Sequence, residues 1–142
     1  MGWSYSPDWN EEELLSGMYS GFVYLFQFDD GTIYIGSKQI YKRVKNYKKI
    51  RDDSKENDWR DYDSSSNIVH CKIAEGISYT KTILWCFPTM SETLLVESFL
   101  IMNTAMQSNS INLAIMSAVR FPAGENKKRL RGIMQELLSI VS

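Results

Sequence analysis

The sequence predicts an α+β fold: a small central antiparallel sheet of three strands flanked by helices, with helical extensions at both ends. Three observations carry this. Phe22–Phe28 and Thr32–Gly36, both aromatic and β-branched, flank Asp29-Asp30-Gly31 and read as a hairpin. Tyr79–Phe87 alternates and stops at Pro88, which reads as a third strand. A nearly all-apolar stretch, Leu94–Met102, follows a capping signal and reads as a buried helix. At 142 residues and 44% hydrophobic content the chain can bury a real core. It is expected to be a single domain over 1–142, with a core of about 21–115, an N-terminal extension 1–20 and a C-terminal helix 122–142.

Residues 1–20 contain Trp3, Tyr5 and Trp9, read as packing on the domain, and a short Asn10-capped helix from Glu11 to Met18. The hairpin follows, and its register depends on the turn. A two-residue Asp30-Gly31 loop would place Tyr24 and Tyr34 on opposite faces, because the strand period is two. A three-residue loop with Gly31 left-handed puts Tyr24, Phe26 and Tyr34 on one face and Val23, Leu25, Ile33 and Ile35 on the other. The second register separates an aliphatic face from a hydroxyl-bearing aromatic one, and is the one expected.

Ile40–Arg51 carries Lys42, Arg43, Lys45, Lys48, Lys49 and Arg51 without an acid. Ile40, Val44, Tyr47 and Ile50 recur at helical spacing, so this stretch predicts an amphipathic helix with a basic outer face. Asp52–Asp58 lacks apolar residues and reads as a surface loop. Ser65 or Ser66 is suited to cap a short helix from about Asn67 to Glu75, ended by Gly76. Trp59 and Tyr62 can anchor the turn before it. His70, the only histidine, lies on that helix without a cysteine or histidine partner nearby and reads as structural.

After the third strand, Thr89-Met90-Ser91-Glu92 has capping-box spacing, which assigns Glu92 a structural task. Glu97 is then the only ionisable group inside an apolar helix. It sits on the stripe Met90, Leu94, Glu97, Ile101, and a buried carboxylate calls for a cation or a metal. Met102, Met106 and Met116 read as core or oligomer contacts. Glu125–Val141 predicts a helix with Leu130, Ile133, Met134, Leu137 and Leu138 on one stripe. Its early Lys127, Lys128, Arg129 and Arg131 oppose the helix dipole and are expected to face phosphate.

A net charge of −1 argues against a protein that coats nucleic acid indiscriminately, while leaving room for a basic face. No apolar run is long enough to span a membrane, and no secretion signal opens the chain. Cys71 and Cys86 lack a metal-ligand pattern and read as buried free thiols in a reducing cytosol, so a cytoplasmic location is expected.

Val23-Tyr24 and Tyr34-Ile35-Gly36, with their tyrosines ten residues apart, resemble the two signature strands of the GIY-YIG nuclease family. The second signature is intact; in the first, Phe22 stands where the family has glycine. Trp59-Arg60-Asp61-Tyr62 running into paired serines, and Lys38 two residues past Gly36, are similar to a phage-encoded (Seg-like, restriction-like) branch. Glu92-x-Leu94-x-x-Glu97-x-x-x-Ile101 is similar to the family's metal-binding helix, and Ser110-Ile111-Asn112 to its asparagine, which closes the core around the site. The resemblance covers about Gly21–Asn112.

It implies a metal-dependent DNA endonuclease with Glu97 as ligand of one Mg²⁺ or Mn²⁺. Tyr24 or Tyr34 takes the nucleophilic water's proton, and Lys38 depresses the phenol's pKa or holds the water. An arginine clamps the phosphate: Arg43, with Arg60 as rival. Lys42, Lys45, Lys48, Lys49 and Arg60 are expected to contact DNA, and Gly36 and Asn112 to support the site. No dedicated DNA-reading tail is apparent, so specificity must come from this compact unit, alone or as a homodimer. Homing, restriction-like and host-DNA-degrading roles all remain open, and the alternative is a nuclease-fold binding module without catalysis.

Overall fold

The computed structural model describes residues 2–104, 108–112 and 122–141. In chain order its elements are β1 (Ser4–Tyr5), α1 (Glu11–Leu14), β2 (Gly21–Phe28), β3 (Ile33–Gln39), α2 (Asn67–Ala74), β4 (Tyr79–Phe87), α3 (Met90–Thr104) and α4 (Gly124–Val141). The sheet order is β1-β4-β2-β3, with β1 parallel to β4 and the other pairs antiparallel. The sheet therefore has four strands and is mixed, where three antiparallel ones were expected. The extra strand is only two residues long, too short to leave a periodic signature. It is held by pairing of Ser4 and Tyr5 with Thr82 and Ile83, continued by a bond from Ser6 N to Ile83 O.

The hairpin has the expected register. Gly31 is left-handed (φ 88°), Gly31 N donates to Phe28 O, and Asp30 holds the turn by accepting from Thr32 N and its hydroxyl. Pairing of Phe26 with Tyr34 and Tyr24 with Gly36 puts both tyrosines on one face. Val23, Leu25, Ile33 and Ile35 face the other way, against Leu95, Val96 and Leu100 of α3 and Leu130, Ile133 and Leu137 of α4. A bulge where β4 crosses Val23/Tyr24 lets Leu84 and Trp85 both join that aliphatic side. Phe22, Tyr24, Phe26, Trp59, Val69 and Ile83 fill the aromatic side, with Trp3 edge-on to Phe22 and Phe26.

Gly21 marks the closest approach of β2 to α3, since a Cβ there would lie 2.3 Å from Met90 Sδ. Close packing at the start of β2 thus falls on Gly21, and Phe22 beside it is fully buried core.

Three expectations are corrected. Residues 40–51 do not form a helix: only Tyr47–Lys49 make a single 3₁₀ turn, capped by Asn46. Arg43 is left-handed (φ 63°), and the backbone groups that a helix would use bond elsewhere. Lys42 N donates to Lys55 O, Tyr47 N to Pro88 O, and Lys45 O accepts from Met90 N. These tertiary bonds outweigh the local periodicity. The N-terminal helix spans only Glu11–Leu14, although Asn10 caps it as expected. Cys86 is buried, but Cys71 is exposed.

α2 is capped by Ser66, with Gly76 left-handed just past its end. His70 Nε2 meets Ser64 O at 2.6 Å, a satisfied structural histidine. No helix among the described residues is long and apolar enough to cross a membrane. Met102 is exposed, and Met106 and Met116 lie outside the described residues.

Candidate active site

Tyr24 and Tyr34 come together because the hairpin register makes them diagonal neighbours on one face; their ring centroids are 6.4 Å apart. Tyr24 is 2% exposed and Tyr34 half-buried. Gly36 makes room for this, since its partner in the pairing is Tyr24 and the phenol lies over it. Tyr62 meets Tyr24 edge-on at 6.1 Å, and the Ser64 side chain lies close to both phenols. Burial pushes Tyr24 far above the ordinary phenol range, Tyr62 adds to the shift, and Ser64 opposes it. Tyr34 is raised too, again chiefly by burial.

The strip carrying Tyr62 and Ser64 is held from below by Lys81. This lysine on β4 is 1% exposed. Its Nζ donates to Tyr62 O (2.7 Å) and Asp63 Oδ1 (3.1 Å) and lies 4.5 Å from the Trp3 ring. Tyr79 also donates to Asp63. Sequence reading missed Lys81, Tyr62 and Ser64 as parts of the site. A lysine in a strand whose alternation points it inward was the available signal, but only a buried partner gives it meaning.

Glu97 reaches the site from the opposite face. It projects from α3 toward the side chain of Ser37, which shares the aliphatic face of β3. Burial raises its proton affinity, and Ser37 opposes that rise. Among the described residues it pairs with no cation. The two faces can converge because β3 is the outer strand.

Asn112 explains where the opening lies. Its side chain accepts from Ile35 N (3.0 Å) and donates to Ile35 O (2.8 Å), imitating a strand partner. Asn109 O and Ile111 N do the same for Ile33. Ile33 and Ile35 thus turn their backbone groups away from β2, and by the antiparallel alternation so does Ser37. Among the described residues the cover ends at Ile35, which leaves the edge open at Ser37, beside Glu97 and one residue from Gly36.

Lys38 lies on the tyrosine face within β3. Its Nζ is 4.4 Å from the Tyr62 ring, and burial lowers its proton affinity while Asp58 opposes that. Arg43 is exposed and makes no ion pair among the described residues. Arg60 is engaged: it bonds Glu56 through two nitrogens and Glu11 through a third, over the Trp59 ring. Lys42, Lys45, Lys48 and Lys49 are exposed on the loop leaving β3. Arg129, expected to face phosphate, instead donates from Nη2 to both carboxylate oxygens of Glu92 and ties α4 to the start of α3. Lys127, Lys128 and Arg131 are exposed.

No group of three or more His, Cys, Asp or Glu among the described residues could hold a metal. Among the described residues the donor set is the one carboxylate of Glu97. That suits a hard divalent ion that keeps most of its water and binds substrate phosphate, and does not suit zinc.

A family model described as “Putative endonuclease segE, GIY-YIG domain” matches residues 3–114. The match begins at Trp3, so it takes in β1 as well as the hairpin, α3 and Asn112. None of the curated proteins or solved structures compared with the chain matches it.

Proposed function

Because the chain belongs to the SegE GIY-YIG endonuclease-domain family, we propose that it is a divalent-metal-dependent DNA endonuclease, phage-encoded, that hydrolyses phosphodiester bonds at the open edge of β3. The observation that carries this is the convergence of Tyr24, Tyr34 and a half-buried Glu97, without a cation partner among the described residues, around Gly36 and Ser37. A structural helix has no use for such a carboxylate, since a leucine there would cost less.

Glu97, steadied by Ser37, would hold one Mg²⁺ or Mn²⁺. When bound, such an ion would supply Lewis-acid charge for phosphodiester hydrolysis. Tyr34 is the phenol that water can reach, so it positions the nucleophilic water and takes its proton. With its pKa raised, it needs a cation nearby to do so. Tyr24 is sealed under Tyr62 and holds Tyr34 in place, and Ser64 steadies both hydroxyls. Lys38 supplies positive charge on the same face. Arg43 is the better phosphate clamp, because Arg60 is already committed to two carboxylates. The lysines of the loop after β3 meet the DNA backbone.

The test is incubation of plasmid with Mg²⁺ and the wild-type protein, beside Glu97→Ala and Tyr34→Phe. Cleavage by the wild type and loss in both variants is expected. Cleavage that survives Glu97→Ala refutes the site. Failure of the wild type on supercoiled, linear and single-stranded DNA alike favours a binding module of this fold.

A further inference from the structure

Trp9, Tyr19 and Trp85 are all only half-buried, yet they cluster edge-to-face, with Trp9 5.1 Å from Tyr19 and 5.3 Å from Trp85. Between them and the start of α4 lies a cavity of about 630 Å³, in the range of small-molecule sites. Each aromatic packs against the core on one side and lines this open space with the rest of its surface.

Glu92 and Arg129 also line the cavity and are bonded to each other, while other polar groups around it have spare capacity. Asn46 uses its Oδ1 on Lys48 N, which leaves its amide N–H groups free to donate. The Asn126 side chain and the indole N–H groups of Trp9 and Trp85 have no partner among the described residues. Lys48 is exposed at the rim and makes no ion pair there. Flat π surfaces, amide groups able to read a base edge and a cation for a phosphate form a set suited to a nucleotide.

The cavity also has an approach. Asn46 and Thr89 line both it and a second cavity of about 510 Å³ that runs past Lys45 to Leu94. Leu94 is three residues before Glu97, on the same side of α3. Thr89 lies about 12 Å from Glu97 along the helix axis, a few nucleotide steps.

We propose that the Trp9–Tyr19–Trp85 cavity receives one unstacked base of the DNA strand whose backbone passes Lys45 and Lys48 on its way to Glu97. The substrate class is then DNA with an unpaired or extrahelical base near the cut. This rests on the nuclease reading above, which supplies the strand; the cavity supplies the base.

The experiment uses the full chain carrying Glu97→Ala, with Mg²⁺, and measures affinity for three probes: a paired duplex, the same duplex with one extrahelical 2-aminopurine, and free dAMP. The expected result is about tenfold tighter binding of the extrahelical duplex than of the paired one, with 2-aminopurine fluorescence quenched by stacking. Trp9→Ala, or Asn126→Ala on the exposed start of α4, should shrink that preference to below about twofold. Asn126 is outside the core, so its variant stays informative if Trp9→Ala fails to fold. Equal binding of both duplexes overturns the pocket and leaves the nuclease reading standing. Binding of dAMP without preference between duplexes overturns the strand-borne base in favour of a free nucleotide. Failure to bind any DNA overturns the nuclease reading itself, and with it this inference.

Discussion

The phenol of Tyr24 occupies the space that a side chain on Gly36 would need: a Cβ there would lie 2.3 Å from the Tyr24 hydroxyl and 2.4 Å from Cζ. The two residues are paired across β2 and β3, and Tyr24 is packed from above by Tyr62. The ring therefore has nowhere to retreat. Gly36→Ala should destabilise the fold by about 1–3 kcal/mol, as overpacking does. It should also displace both tyrosines and abolish cleavage. Denaturant unfolding and a plasmid assay check this, and an active, fully stable alanine variant would contradict the packing.

Glu97 sets function against stability. Folding raises its proton affinity, so its contribution to stability is fully present below the ordinary carboxylate pKa and is lost as pH rises through the raised folded value. Above the ordinary carboxylate range, burying this group costs stability. Glu97→Gln should therefore raise the thermal midpoint at pH 7 by on the order of a few degrees while eliminating cleavage. The gain should vanish by about pH 4, where the wild-type carboxyl is itself neutral. Metal and proton compete for the same oxygen, so the acid limb of the pH–rate profile should move down as Mg²⁺ is raised. A limb indifferent to Mg²⁺ would count against Glu97 as the ligand.

Lys81 is a positioning residue. Its ammonium is buried while Asp63 is 37% exposed, so removing the charge lets Asp63 turn to water and frees Tyr62 and Ser64. Lys81→Met fills the same volume. It should keep the sheet intact by circular dichroism yet lower cleavage by about tenfold or more, since small misplacements at a site are costly. The pH–rate profile should shift as Ser64 leaves the phenols, which a purely structural lysine would not cause.

The arginines can be separated in one comparison. Arg43→Ala should remove most cleavage, whereas Arg60→Ala should leave it within a few-fold and cost little stability, as exposed ion pairs do. The opposite ranking would make Arg60 the clamp. Neutralising Lys42, Lys45, Lys48 and Lys49 should reduce the salt dependence of DNA binding by about 0.9 in log–log slope for each DNA phosphate left without its lysine. Arg129→Ala should leave that slope alone, because Arg129 is spent on Glu92.

The amino-acid sequence by itself determined the parts of this protein that depend on local period and turn chemistry. A left-handed Gly31 sets the hairpin register, and that register places Tyr24 beside Tyr34 and sorts aromatic from aliphatic side chains. Ser66 and Gly76 bound α2 by their own hydrogen-bonding and backbone preferences, and Glu97 stood out as a charge in an apolar helix. The tertiary structure alone decided the rest. The basic segment 40–51 has helical spacing but gives its backbone bonds to Lys55, Pro88 and Met90, so it becomes a loop. β1 exists only because β4 offers an edge. Arg129 looks free in a linear string and is bound by a carboxylate 37 residues away, and Glu11, 49 residues away, joins the local Glu56 in holding Arg60. Lys81 reads as an ordinary strand residue until Asp63 and Tyr62 fold onto it. Each of these depends on a partner far along the chain, and periodicity carries no record of such a partner.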